Sequence, residues 1–259
     1  MSLTDAVSTK KQRKKRGWLH EIISTFVYPL LLVLVVYSFV FQPFRIPSAS
    51  MVDTLLIGDF VWVEKYSYGY SKHSVIFSPD LFDGRIWGAD PERGDVAVFK
   101  WPVDNSTDFI KRVIGLPGDR IQMKLGVLYI NGVAAKTEFV EDVDLKYYDP
   151  RINGMARLKG KKYRETLPNG VSHFILKEKD SGQANNTEEF LVPPGEFFML
   201  GDNRDNSEDS RFWGPVKAEN FVGRASRIFP SWDASKTEWY EVWNWPLAIR
   251  WDRLFQSIE

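Results

Sequence analysis

The chain has no cysteine and only three histidines among its 259 residues. The first absence excludes disulfides, thiolate metal sites and a cysteine nucleophile, so the fold stands on packing alone and redox chemistry says nothing about the compartment. The second narrows the choice of a general base. His20 precedes a long apolar run, His73 falls in an irregular loop, and His173 opens an apolar strand where a structural role suffices. No HExxH pattern occurs, and two remaining histidines with scattered carboxylates are a thin basis for zinc, so neither metal nor cofactor is expected. Net charge is missing too, since 34 Lys and Arg balance 34 Asp and Glu. The balance is uneven: Lys10, Lys11, Arg13, Lys14, Lys15 and Arg16 against Asp5 give the first 17 residues +5, which leaves −5 for the rest. The large body therefore lacks the basic surface that a nucleic-acid partner requires.

One charge that is missing locally says more. Residues 22–44 carry no formal charge, and as a helix they reach about 34 Å at 1.5 Å per residue, enough to cross a hydrocarbon core of about 30 Å. Pro29 is tolerable in a membrane helix, and Trp18 sits at the boundary where amphipathic aromatics collect. The expectation is a basic cytoplasmic tail over 1–17 and a single anchor over 18–44. The cation excess ahead of the span then puts the body on the outer face of the plasma (inner) membrane. A cleaved secretory signal is the rival, because Ser48-Ala49-Ser50 offers small residues, but the apolar region exceeds the roughly 7–15 residues of such segments.

Beyond Met51 the pattern turns to short strands. Residues 60–63, 96–99, 127–130, 173–176 and 197–200 are β-branched or aromatic runs bounded by turn residues. Asn131-Gly132 is a hairpin signal, and Pro117-Gly118 and Pro194-Gly195 suit type II turns. The spacing predicts a mainly β protein: one transmembrane helix, then an antiparallel, barrel-like body in two parts (45–132 and 189–259) with a polar inserted subdomain over 133–188. Residues 67–93 also read as an insertion. Trp232, Trp239, Trp243, Trp245 and Trp251 crowd the C-terminal part, either as core or as a belt against lipid headgroups.

Chemistry needs a nucleophile and a base. Ser50 follows the apolar run so closely that, at about 3.3 Å per extended residue, it lies within roughly 20 Å of Phe44. Its work would be done at a bilayer surface. A serine is weak without a neighbouring base, and with histidine set aside lysine remains. In the run 109–114, strand alternation puts Lys111 on one face with Phe109 and Val113, and Arg112 on the other with Ile110 and Ile114. An ammonium on an apolar face loses pKa on burial and becomes able to accept a proton. The alternative is that Lys111 reaches past its neighbours into water. The third piece is the polar run 201–211. Its Asp and Asn density suggests a calcium loop, but counted from Asp202 the Gly and Glu positions hold Ser207 and Trp213.

Three blocks, Pro47-Ser48-Ala49-Ser50-Met51 with Thr54-Leu55, the run 111–119 and the run 201–211, resemble the bacterial type I signal peptidases. These are membrane-bound Ser-Lys endopeptidases that remove signal peptides from exported preproteins. The resemblance implies Ser50 as nucleophile, Lys111 as general base and Ser207 holding the lysine amine, with Asp209 and Arg211 as a supporting ion pair. It implies an oxyanion hole from the Ser48 hydroxyl and the Ser50 N–H. Phe44, Ile46, Met51, Leu55, Phe109 and Ile110 match positions lining pockets for small substrate residues. The implied partners are signal-peptide-bearing preproteins and the lipid bilayer, with a monomer expected. Two positions depart from the family: Ala49 where it usually has Gly, and Asp53 where it usually has Pro. The rival of another class is a catalytically silent, membrane-tethered β module that binds exported or envelope proteins.

Overall fold

A computed structural model describes residues 17–74, 84–178, 184–237 and 240–258. The cationic tail and Trp239 lie outside the described residues. From Trp18 the chain is helical through α1 (Trp18–Ile22), one π turn (Ile23–Val27) and α2 (Tyr28–Phe39). Pro29 has no N–H for the carbonyl four residues back, and the π turn stands just ahead of it. His20–Phe39 alone is 20 residues of helix, about 30 Å, with its side chains facing outward instead of into the protein.

The charge-free run does not stay helical to residue 44. Helix ends at Phe39, and β1 (Phe41–Arg45) pairs antiparallel with β2 (Asp59–Glu64), from Phe41↔Glu64 to Arg45↔Phe60. Pro43 would break a helix but is tolerated in an edge strand, and β1 is an edge.

The strands that follow are β3 (Val96–Lys100), β4 (Asp108–Gly115), β5 (Arg120–Lys124), β6 (Val127–Ile130), β7 (Val133–Ala134), β8 (Lys136–Asp149), β9 (Gly154–Thr166), β10 (Ser172–Lys177), β11 (Phe190–Leu191), β12 (Glu196–Leu200), β13 (Val216–Lys217) and β14 (Phe221–Ser231). Two four-residue helices, α3 (Ser210–Trp213) and α4 (Trp245–Ala248), flank β13 and β14 in the chain. The body is mainly β, a curled antiparallel seven-stranded sheet in the order β1-β2-β14-β3-β4-β12-β13, with a four-stranded sheet β11-β5-β6-β7 and a three-stranded sheet β10-β9-β8.

Alternation along β3 explains why its sequence is apolar throughout. Val96 and Val98 join Ile46, Met51, Leu55, Val61 and Val63 in one buried cluster, while Ala97 and Phe99 join Val113, Phe197, Met199 and Phe221 in another. Both faces of this strand are covered, so neither tolerates a polar residue. The β6–β7 hairpin turns on Asn131 (φ 53°) and Gly132 (φ 80°), the two left-handed positions of a type I′ turn. Between residues 133 and 188 the chain forms a long ribbon, β8 with β9, which packs Val143, Leu145, Tyr147 and Leu158 of one face against Ala49 and Val52 and leaves the other face largely exposed. Near the C-terminus Trp243 and Trp251 are 71% and 60% exposed, beside exposed Val242, Leu247 and Phe255.

Candidate active site

Topology brings the three blocks together. β4 lies between β3 and β12, so the residue after β12 begins the 201–211 loop alongside Lys111 and Arg112. The segment after β1 turns back at 49–55, with Val52 N–H donating to Ala49 O and Leu55 N–H to Met51 O. The loop grips that turn from below: Asn203 N–H donates to Ser50 O (3.1 Å), and its side-chain amide to Ala49 O (3.3 Å).

Lys111 Nζ stands 2.7 Å from Ser50 Oγ and donates to the carbonyl of Ile110 at 2.9 Å. Ser50 and Lys111 are only 8% and 4% exposed. The amine also lies 5.4 Å from the centre of the Phe109 ring, so the lysine does not reach past its neighbours into bulk water. Burial lowers its pKa to about 8, while Asp209, Asp202 and Glu208 pull it upward and Arg211 pushes it down. A buried amine at hydrogen-bond distance from a hydroxyl is the arrangement a general base needs. Ser48 Oγ is 3.3 Å from Ser50 Oγ, and among the described residues the Ser50 N–H has no acceptor. Both donors are thus available to a developing oxyanion.

Supporting charges lie beneath. Arg211 forks onto Asp209 through Nε and Nη2 (both 2.8 Å), and Asp209 accepts from the Gly201 N–H (3.0 Å) while capping α3. On the opposite face of β4, Arg112 forks onto Asp202 (2.9 and 2.8 Å), which also accepts from the Thr54 hydroxyl (2.5 Å). Two buried ion pairs therefore hold the loop, one tied to α3 and one to the turn that bears Ser50. A third, Arg204 with Glu165, fixes the loop to β9, and the buried His173 imidazole faces the same carboxylate at 3.3 Å. Among the described residues no three His, Cys, Asp or Glu converge to hold a metal ion.

Ser207 comes to the cleft, but its Oγ makes no hydrogen bond among the described residues. The amine's second partner is the Ile110 carbonyl instead. Of the six pocket positions, only Phe109 lines the cleft of about 580 Å³ that contains the dyad. Ile46, Met51, Leu55 and Ile110 are buried in the core cluster, with Phe44 packed against it; alternation in β4 turns Ile110 to the face opposite Lys111. The cleft is instead walled by Ser48, Ala49, Asp205, Asn206, Glu208, Phe212 and Arg151. Arg151 arrives from the β8–β9 turn, and nothing near it in sequence marks it.

The two departures have clear consequences. Ala49 lies outside the left-handed region, so its methyl brings no strain of that kind, and it packs with Val52, Ile57, Leu158 and Leu176. Asp53 pairs with Lys162 of β9, tying the nucleophile turn to the ribbon. Gly201 matters for space: a Cβ there would meet Ser207 Oγ at 2.1 Å and Ser50 O at 2.6 Å. Gly201→Ala should therefore lose about 1–3 kcal/mol of stability, as overpacked cores do, and displace Ser50. Thermal unfolding and preprotein cleavage check this. A variant equal to wild type in both would show that the contact is soft.

The family model described as Signal peptidase, peptidase S26, matches residues 19–232. Signal peptidase I of Rickettsia typhi (strain ATCC VR-144 / Wilmington) is 37% identical over 255 residues, covering 91% of this chain and 92% of that protein. Signal peptidase I of Rickettsia massiliae (strain Mtu5) is 36% identical over an alignment of 282, covering 100% of this chain and 98% of that protein. A crystal structure of a signal peptidase I from Enterococcus faecalis V583 is 26% identical, covering 53% of this chain and 98% of that one, with a TM-score of 0.30, an overlay too loose to carry an argument.

Proposed function

The chain belongs to the peptidase S26 signal peptidases, and from that premise we propose that it cleaves signal peptides from exported preproteins through Ser50 and Lys111. The neutral Lys111 amine takes the Ser50 hydroxyl proton as Oγ attacks the scissile carbonyl. The Ser48 hydroxyl and the Ser50 N–H receive the oxyanion, the leaving amine takes the proton from Lys111, and an ester to Ser50 remains. Water, deprotonated by the same amine, then releases the signal peptide as a free carboxylate. The observation that carries this reading is the 2.7 Å contact between the two buried side chains. Purified protein mixed with a preprotein, wild type beside Ser50→Ala, tests it; undiminished cleavage by the variant would refute it. The silent-module alternative has no observation in its favour.

An N-terminal apolar helix of spanning length fits a membrane anchor. In this reading the anchor lies in the plasma (inner) membrane with the cationic tail in the cytoplasm and the body outside, where preproteins emerge. The exposed Trp243, Trp251, Leu247 and Phe255 then rest on the bilayer. A chain beginning at Val40 should still sediment with lipid vesicles, and Trp243→Ala with Trp251→Ala should weaken that binding about tenfold or more, as lost apolar burial predicts. A truncated body that stays in the supernatant, with or without the tryptophans, removes the idea.

A further inference from the structure

The β8–β9 ribbon ends in a four-residue turn, Pro150-Arg151-Ile152-Asn153, between the paired residues Asp149 and Gly154. Within it Asp149 and Arg151 form a closed unit. Asp149 Oδ1 accepts from the Arg151 N–H (2.9 Å) and Nε (3.0 Å), and Oδ2 accepts from Nη2 (2.6 Å). The Asp149 side chain is 5% exposed and the Arg151 side chain 56%. One edge of the guanidinium is thus fixed to a buried carboxylate, and Nη1 has no partner among the described residues. A planar cation held this way loses little freedom when its free edge meets a second carboxylate.

Arg151 lines the same cleft as Ser50 and Lys111. The loop side of that cleft carries Asp205 and Glu208, so a substrate carboxylate is repelled there and drawn toward the ribbon. We infer that Arg151 is a specificity-determining residue, favouring preproteins with an acidic side chain close to the scissile bond. This rests on the reading of Ser50 and Lys111 as the site of cleavage. It adds a role for the polar ribbon, whose tip closes the cleft from a point a hundred residues away in the chain.

The test pits two preproteins against each other in one reaction with the full-length enzyme in detergent. They are identical except for Asp or Lys at one position, scanned along both sides of the cleavage site while sparing the two small-residue positions. The ratio of kcat/KM values cancels any change in the dyad itself. At one or more positions wild type should prefer Asp, and Arg151→Glu should shift the ratio toward Lys by about three- to tenfold, the range of partly exposed charge pairs. Arg151→Ala should fall between. Arg157→Glu, the same charge change on the ribbon at a residue paired with Asp144 and outside the cleft, should leave the ratio at its wild-type value. A ratio unchanged by Arg151→Glu at every position overturns the inference while the peptidase reading stands. A loss shared by all substrates and present only with anionic vesicles would assign Arg151 to lipid and also overturn it. Cleavage persisting in Ser50→Ala would instead remove the site reading on which the inference rests.

Discussion

Preprotein cleavage is expected to fall about 10⁴-fold or more in Ser50→Ala, by a comparable factor in Lys111→Ala, and no further in the double variant. The geometry makes the two a unit. Among the described residues Lys111 Nζ hydrogen-bonds one hydroxyl, that of Ser50, so without the serine the amine has no proton to remove. Without the amine, Ser50 is an ordinary alcohol: among the described residues no other base hydrogen-bonds its hydroxyl, His173 faces Glu165 instead, and the carboxylates of Asp202 and Asp209 are held by Arg112 and Arg211. Either loss should leave only what binding and the oxyanion donors supply. The fold should survive in Ser50→Ala, because only one hydroxyl is lost and the amine keeps the Ile110 carbonyl. Losses that multiply in the double variant would mean that the residues act independently, and the pairing would have to be abandoned.

Local signals offered Ser50 and Lys111 only as candidates, and their pairing came from the resemblance. Lys111 sits in an apolar strand whose alternation predicts burial, and Ser50 sits in a small-residue segment after an apolar run. The short strands were legible for a related reason: β3 and β12 are apolar on both faces, so their composition shows at any register. The ribbon was not, although its strands are 14 and 13 residues long. Only part of it alternates: Val143, Leu145 and Tyr147 of β8 and Leu158 of β9 pack against Ala49 and Val52, while residues 138–142 are all exposed, and a stretch with so short an apolar pattern reads as polar insert. The helix boundary failed in the opposite way. Residues 40–44 are as uncharged as the anchor, and only Pro43 hints that the helix has ended. Arg112 with Asp202 and the grip of Asn203 on Ser50 depend on which strands are neighbours in the sheet. A single sequence read for periodicity does not contain that order.

Lys111 is also a thermodynamic probe. Its folded-state pKa is about 8 against an ordinary value of 10.5, so between those values the unfolded chain binds the extra proton, and stability rises with pH across that window. Below about 8 both states are protonated and the folded state bears the full cost of a buried ammonium, roughly 3 kcal/mol. Methionine of similar length escapes this cost. Hydrogen bonds from the amine to Ser50 and to the Ile110 carbonyl are lost, at about 1 kcal/mol each, which leaves Lys111→Met inactive yet more stable than wild type by about 1 kcal/mol near pH 7. That gain should shrink and then reverse as pH climbs from about 8 toward 10.5. Activity follows the same proton: only the neutral amine accepts from Ser50, so kcat/KM should rise about tenfold per pH unit below 8 and level off above it. Asp209, Asp202 and Glu208 hold this midpoint up, so Glu208→Gln, which removes a nearby negative charge, should move the profile to lower pH. Denaturant melts of wild type and Lys111→Met across this range, beside a pH–rate profile, decide the matter. A stability difference flat with pH, or activity highest in acid, would make Lys111 an ordinary charged lysine and place the base elsewhere.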